Sequence, residues 1–257
     1  MAKKTSVGIA HSDADLGKPA DYSREQLDLV KAIIGDIADQ TMAGMGGIVR
    51  KGDKVLIKIN TVIPVPANEG FTTDPRMLEA LIELVQEQQP SRIQIGERCA
   101  MGGDTRNAME VCGIAAVAQR TGAELCPFDD VPFDMYKIDR PVSFNEFPVP
   151  RPVREADVYI GLPKMKVHVH TVFTGAMKLQ FGNLPDYDWM VRCHRDDIFQ
   201  KIVSCSTTDK TVVELLVGGR VMTGFYDNNG PGCWMVNGGK TRIPEGTYPS
   251  HWRPVKP

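Results

Sequence analysis

The sequence predicts an α/β fold, built on a mostly parallel sheet flanked by helices on both faces. Three observations carry that expectation. Short runs rich in β-branched residues alternate with longer segments of helical periodicity over the first half of the 257-residue chain, which is the pattern of successive βαβ units. Turns containing Gly, Pro and Asp punctuate the transitions. Right-handed crossovers between parallel strands then place helices on both faces of the sheet. The length admits one large domain or two intimate lobes.

Taken in order, a first strand is expected over residues 6–10. A helix is expected over 23–39, where Leu27, Val30, Ile33, Ile34 and Ile37 fall at helical spacing. The glycine-rich stretch 42–47 separates it from a strand over 55–60. There Val55, Ile57 and Ile59 alternate with Leu56, Lys58 and Asn60, so Lys58 and Asn60 share one face. Thr73-Asp74-Pro75 reads as a helix start, an acceptor side chain before a proline in the first turn. Met77, Leu78, Leu81, Ile82 and Val85 mark one side of that helix. A strand over 92–96, a glycine-containing loop, a helix over 105–120 and a strand over 123–128 follow. Residues 129–152 are rich in proline and aromatics, a loop-rich insertion or two-stranded excursion at a boundary between lobes. The pattern resumes with DVYIGLP, then a helix over 196–203 and a strand over 212–217. Residues 1–232 are expected to form the α/β domain, and 233–257 an extended tail.

Composition narrows the function classes. A net charge of -2 gives no global reason to expect nucleic acid or an anionic membrane as a partner. No run approaches the roughly 20 apolar residues that span a bilayer. The start, MAKKTSVGIAHSDAD, lacks a long apolar stretch of the secretory kind, so the expected compartment is the cytoplasm. Cys99, Cys112, Cys126, Cys193, Cys205 and Cys233 form no CxxC pair, which fits neither a zinc ribbon nor a ferredoxin-type run. Free thiols are expected.

The chemistry is expected in one polar segment, PKMKVHVHTVFTGAMKLQFG, residues 163–182. It carries Lys164, Lys166, His168, His170, Thr171, Thr174 and Lys178 without an acidic residue. If residues 166–170 end a strand, the period of two puts Lys164, Lys166, His168 and His170 on one face. Two imidazoles at i and i+2 suit a divalent metal or a proton relay, and the lysines suit an anionic group. Thr174-Gly175 would open a helix whose free N–H groups and dipole favour phosphate or carboxylate, with Lys178 one turn on. The bland alternative is a solvated strand face with Val167 and Val169 turned inward. Spacing alone does not separate the two.

In order along the chain, KGDKVLIKIN, TTDPRMLEALIELV, RIQIGE and EADVYIGLPKMKVHVHTVFTGAMKLQFGNLP resemble motifs of the family catalogued as domain of unknown function 362. The resemblance runs from about Val7 to Gly232, where DNNGPG is similar to a late glycine- and proline-containing motif. Carried over residue by residue, it implies polar site positions at Lys58, Asn60, Thr73, Asp74, Lys164, Lys166, His168, Thr174, Gly175 and Lys178. Many relatives also carry a ferredoxin-like module with two four-iron clusters. This chain has no such cysteine run and no iron–sulfur cluster motif. It stops soon after Pro231 by comparison with the usual family domain. The expectation drawn from this is a sheet edge or pocket wall supplied by a partner, in a homo- or hetero-oligomer. In arrangement alone, the chain is also similar to the nickel-pincer lactate racemase group.

Three further candidates stand outside that segment. Glu97 opens the loop from Gly96 to Asp104, after a strand and before a helix, where an α/β sheet presents its ligand face. It reads as an acid, a ligand or a loop-bracing carboxylate. Cys193-His194 sets a thiol beside an imidazole, but neighbours on a helix point about 100° apart and serve separate contacts. His11, Asp13 and Asp15 read as a polar turn or as a reach towards the same face. GxGxxG and P-loop motifs are absent.

Two functions remain open at this point. One is an enzyme acting on a small anionic metabolite by redox or proton-transfer chemistry. In it, Lys164, Lys166 and Lys178 hold the anion, while His168, His170 or Glu97 serves as acid, base or metal ligand. The other is a non-catalytic subunit that binds an anion, a metal or a cofactor for a larger assembly.

Overall fold

The computed structural model describes residues 7–100, 103–139, 144–168, 172–195, 213–217, 220–227, 233–236, 241–242 and 251–254. Two compact units divide the chain. One comprises Met1–Lys137 and Glu146–Tyr187, the other Ile138–Asn145 and Asp188–Pro257.

The first unit is an α/β domain. Its central sheet contains β1 (Lys54–Lys58), β2 (Arg92–Glu97), β3 (Glu124–Pro127) and β6 (Val158–Gly161) in the order β3-β2-β1-β6. Every neighbouring pair is parallel. The chain builds β1, β2 and β3 outward in one direction, then returns to lay β6 on the other side of β1. The strand order therefore reverses between β1 and β6, and the carboxyl ends of those two strands are where an open α/β sheet takes its ligand.

Side-chain alternation along β1 feeds two cores. Val55 and Ile57, with Ile59 beyond the strand, pack with Leu78, Ile82 and Val85 of α2 (Pro75–Gln86) and with Met109, Ile114 and Val117. Leu56 faces the other way, onto Cys126 and Phe128, with Val153, Ala156 and Tyr159 around them. A strand buried on both faces reads as a continuous apolar run, as VLI does here. The two faces are covered unequally. The 12-residue α2, with the segments carrying Met109, Ile114 and Val117, covers one, whereas the five-residue α5 (Arg151–Glu155) and the foot of a hairpin cover the other. That hairpin pairs β4 (Phe133–Lys137) with β5 (Glu146–Pro150), the two-stranded form of the excursion expected near 129–152.

Helix α1 (Arg24–Met42) starts at a capping box, in which Ser23 and Gln26 satisfy each other's backbone N–H groups. It packs on α2 through Leu27, Val30 and Ala80. Tyr22 donates to Glu79, and Arg120 bonds both, so the start of α1, α2 and the helix carrying Arg120 meet at one polar cluster.

Two expectations fail in this unit. Residues 7–10 form no strand, and Val7 and Ile9 are 80% and 91% exposed. Gly8 instead runs beside Ile37 and Thr41 of α1. The single helix over 105–120 is two, α3 (Thr105–Val111) and α4 (Ile114–Thr121). Gly113 at φ 85° breaks them, a conformation open to glycine and costly for other residues.

The second unit holds α7 (Tyr187–Arg195) over most of its length, where Arg192 lies 4.0 Å from the Trp189 ring centroid and 5.5 Å from that of Phe144. Its sheet contains β9 (Val213–Val217), β10 (Arg220–Asp227), β11 (Cys233–Val236), β12 (Thr241–Arg242) and β13 (His251–Pro254), in the order β12-β11-β10-β9-β13. All its pairings are antiparallel. The strand expected over 212–217 thus joins an antiparallel sheet, between β10 and β13, rather than the parallel sheet. The helix expected over 196–203 lies outside the described residues. Among the described residues, no helix is long and apolar enough to cross a membrane.

Candidate functional site at the carboxyl edge of the parallel sheet

Lys58 ends β1 and Glu97 ends β2, and the parallel register sets Lys58 opposite Gly96. The two side chains therefore meet one residue past the ladder. Lys58 Nζ donates to Glu97 Oε1 at 2.6 Å and to the Ile59 carbonyl at 2.8 Å. Glu97 also accepts from the backbone N–H groups of Thr61 at 2.9 Å and Arg98 at 2.8 Å. The lysine is 0% exposed and the glutamate 2%, so water screens neither. Burial pushes the Lys58 ammonium down and the Glu97 carboxyl up, and each partner opposes the shift in the other.

Gly182 closes this pair from above. A Cβ at that position would lie 2.0 Å from Glu97 Oε1 and 2.5 Å from Lys58 Nζ. The chain around it is the one-turn helix α6 (Ala176–Leu179) and a 3₁₀ turn (Gln180–Asn183). Arg98 reaches the Leu184 carbonyl, and Asn183 donates to Tyr159 and Gln180.

Thr73 sits at the strand-order reversal. Its hydroxyl accepts from the Asn60 N–H at 2.8 Å and donates to the Leu162 carbonyl at 2.9 Å, joining the chain leaving β1 to the chain leaving β6. Asp74 caps α2 by accepting from Arg76 N, with Pro75 at the first helical position. Its carboxylate also pairs with the Arg76 guanidinium, which in turn holds the Leu16 and Gly17 carbonyls.

The polar segment leaves the parallel sheet and folds into a two-stranded ribbon, β7 (Lys166–His168) against β8 (Val172–Thr174). The bland expectation for its face is reversed: Val167 is 88% exposed, while Lys164, Lys166 and His168 are half-buried. Lys166 Nζ donates to the Phe71 carbonyl. Burial pushes its pKa down to about 8, with the Glu97 charge opposing the shift and Lys164 adding to it. Lys178 lies over the Phe181 ring, 3.8 Å from the centroid. Gly175 caps α6, whose four residues form a single turn. Thr174 is buried.

The structure thus brings Lys58, Glu97, Asn60 and Thr73 together at the ends of β1, β2 and β6, with Lys166 held to the adjoining loop. Asp74 is spent on the helix cap and Arg76. His170 and the side chain of His194 lie outside the described residues, and half-buried Cys193 belongs to the second unit. His11 and Asp13 approach to 3.6 Å as an exposed pair. Among the described residues, no group of three or more His, Cys, Asp or Glu side chains could hold a metal ion.

Sequence reasoning missed Thr61, Thr72 and Asn183. Thr61 Oγ1, Thr72 Oγ1 and Asn183 Oδ1, with Asn60 Oδ1 and Thr174 Oγ1, are buried without a hydrogen-bond partner among the described residues. Buried polar atoms are normally satisfied by protein, water or ligand. Asn60, Thr61 and Thr72 lie within a few residues of Lys58 or Thr73, Thr174 is in the ribbon, and Asn183 follows Gly182, which covers the Lys58–Glu97 pair. The signal for Thr61 and Thr72 was their position, each next to a motif residue.

The family profile described as domain of unknown function (DUF362) matches residues 55–238. A thylakoid-associated protein of Synechocystis sp. is 30% identical over 146 residues, which make up 57% of this chain and 44% of that protein. The chain spans less than half the length of that curated relative. No match to a solved structure reaches significance.

Proposed function

The chain belongs to the domain of unknown function 362 family, and from that premise we propose that it is a cytoplasmic enzyme moving a proton on a small carboxylate- or phosphate-bearing metabolite. The substrate lies at the carboxyl ends of β1 and β6. Lys164 faces its anionic group, Lys166 is the base, and His168, two residues along the same ribbon face, is the second proton carrier. The neutral Lys166 amine takes a proton from a C–H next to a carbonyl, leaving an enolate whose oxygen the Lys164 ammonium stabilises. Return of that proton regenerates the substrate and the neutral Lys166 amine without an oxidant; delivery of a proton from His168 instead leaves Lys166 protonated and His168 neutral, and proton exchange of the two with water restores them. The buried Lys58–Glu97 pair fixes the floor on which these groups stand.

The observation that carries this reading is the state of Lys166. An ammonium half-buried at the strand-order reversal and poised near pH 8 exchanges its proton in the neutral range, the property a general base needs. The unpartnered hydroxyls of Thr61, Thr72 and Thr174 add support, as groups able to receive a polar substrate.

Deuterium exchange tests it directly. The protein is incubated in D₂O with a panel of small 2-hydroxy, 2-oxo and phosphorylated carboxylates, and label at carbon is read by NMR. At least one compound should exchange, with a rate that rises through about pH 8 and is lost in Lys166→Met. If none exchanges while the same panel raises the melting temperature, the enzyme reading fails and the non-catalytic binding subunit replaces it.

A further inference from the structure

Lys166 stands in a cluster that offers more than a base. It is directly paired with Thr174 across the β7–β8 ribbon, so the two side chains leave the same face, with Cβ atoms about 5 Å apart. That face is the covered one: Thr174 is 3% exposed and Lys166 half-buried. Lys164, also half-buried, lies two residues earlier, close enough for its charge to act on Lys166. The Thr174 hydroxyl is buried without a hydrogen-bond partner among the described residues. An unpaired buried hydroxyl costs stability that a valine of the same shape would not. A place for an incoming oxygen is what the hydroxyl gives in return.

The head of Lys166 is oriented as well. Nζ donates to the Phe71 carbonyl. In a neutral amine that bond uses an N–H, so the lone pair is turned away from the carbonyl oxygen and stays free for another partner. An amine withdrawn from water beside another cation is a nucleophile towards carbonyl carbon. Its neighbours match the rest of such a compound. Lys164 suits a carboxylate, and the Thr174 hydroxyl suits the oxygen of the carbonyl.

We propose that Lys166 forms an imine with the carbonyl carbon of a small 2-oxo or aldehydic carboxylate, with Thr174 receiving the carbonyl oxygen and Lys164 the carboxylate. This deepens the proton-transfer reading, on whose neutral Lys166 amine it rests, by naming the substrate class. The step balances without a redox partner. The Nζ lone pair forms the C–N bond while the C=O π pair moves onto oxygen, and a proton passes from nitrogen to that oxygen to give a carbinolamine. The carbinolamine hydroxyl takes one further proton, drawn from water through His168, and the C–O bond breaks. One amine, one carbonyl and one proton thus become a protonated imine and one water.

Reductive trapping of the full chain tests it. Glyoxylate is the probe, an aldehyde beside a carboxylate with no C–H next to the carbonyl, so labelling needs no proton transfer from carbon. The protein is treated with glyoxylate and cyanoborohydride at pH 7, and carboxymethylated lysines are quantified by peptide mass spectrometry. At that pH an amine with a pKa of about 8 is neutral in roughly one molecule in ten, against about one in 3,000 at the ordinary 10.5. Lys166 should therefore be labelled at least about tenfold ahead of the exposed Lys51 and Lys54. Thr174→Val removes only the unpartnered hydroxyl; it should keep the melting temperature and lower labelling of Lys166 at least about threefold. Wild-type Lys166 should prefer glyoxylate to its uncharged ethyl ester about fivefold, and Lys164→Gln should abolish that preference. Labelling of Lys166 no faster than of the two reference lysines overturns the proposal. So does equal labelling by acid and ester, or labelling unchanged in Thr174→Val. Deuterium exchange without trapping leaves Lys166 a base and removes the imine alone, whereas trapping without exchange of any compound removes the proton-transfer reading and keeps the imine.

Discussion

Gly182→Ala is the sharpest test of the buried pair. Ordinary van der Waals contact begins near 3.4 Å, so the new methyl group is too close to Glu97 Oε1 by about 1.4 Å and to Lys58 Nζ by about 0.9 Å. Neither atom is a loose end, since the Ile59 carbonyl holds Lys58 Nζ, the Arg98 N–H holds Glu97 Oε1, and the Thr61 N–H fixes the other carboxylate oxygen. The chain has two ways to relieve the clash. Separating the pair leaves two buried charges without partners, which costs about 3–5 kcal/mol. Lifting the covering segment exposes Leu179 and Leu184, now 2% and 1% exposed, at about 1.5–3 kcal/mol each. The first route costs about 3–5 kcal/mol and the second about 3–6; the cheaper sets the loss at about 3–5 kcal/mol, a fall of roughly 6–20 °C in melting temperature for a domain of this size. Urea titration followed by circular dichroism reads the loss. Gly35→Ala is the control, because a Cβ there meets nothing within 4 Å in the middle of α1, and it should be neutral or stabilising by up to about 1 kcal/mol. If Gly182→Ala lies within 1 kcal/mol of wild type, the close approach over the pair is not what holds this segment.

Further expectations concern the same edge. Lys58→Met alone should cost about 3 kcal/mol or more at pH 7, and adding Glu97→Gln should recover part of that, because it removes the unpaired buried charge while its single carbonyl oxygen keeps one of the two backbone N–H bonds, from Thr61 or from Arg98. A double variant less stable than the single by urea titration would remove the buried-pair account. Asp74→Ala should cost about 1–2 kcal/mol through the α2 cap and leave substrate-induced shifts in melting temperature unchanged. Loss of those shifts at unchanged stability would return Asp74 to the binding site. Lys166 gives a pH signature whose sign follows from its lowered pKa. Between about 8 and 10.5 the unfolded chain holds a proton that the folded chain has released, so stability rises with pH across that window. Stability curves from pH 7 to 11 should lose this rise in Lys166→Met; an identical slope in both proteins refutes the shift.

Much of the α/β unit was legible in the sequence because its signals are local. Ser23 and Asp74 announce helix starts through their own side chains, and Pro75 fits the first helical position. The VLI run of β1 reads as a buried strand because it is apolar without interruption. What failed was local pattern without a partner. Residues 6–10 look like a strand, yet a strand exists only where a neighbour offers its hydrogen bonds. The apolar pattern over 105–120 runs through Gly113 without interruption, and only its positive φ shows the break.

By itself, then, the sequence determined most elements of the α/β unit, the parallel character of its sheet, the family, and the polar residues worth watching. Tertiary structure decided what those residues do to one another. Lys58 and Glu97 lie 39 positions apart, and parallel pairing of β1 with β2 turns them into a buried pair whose charges water cannot screen. The same pairing gives Gly182 its reason, since a missing side chain matters only where another chain segment fills its space. The ribbon makes the last distinction. A period of two fixes that Val167 and Lys166 face opposite ways, but not which of them faces water, because only the packing of the whole domain chooses the face to bury. Here it buries the lysine's side and leaves the valine exposed.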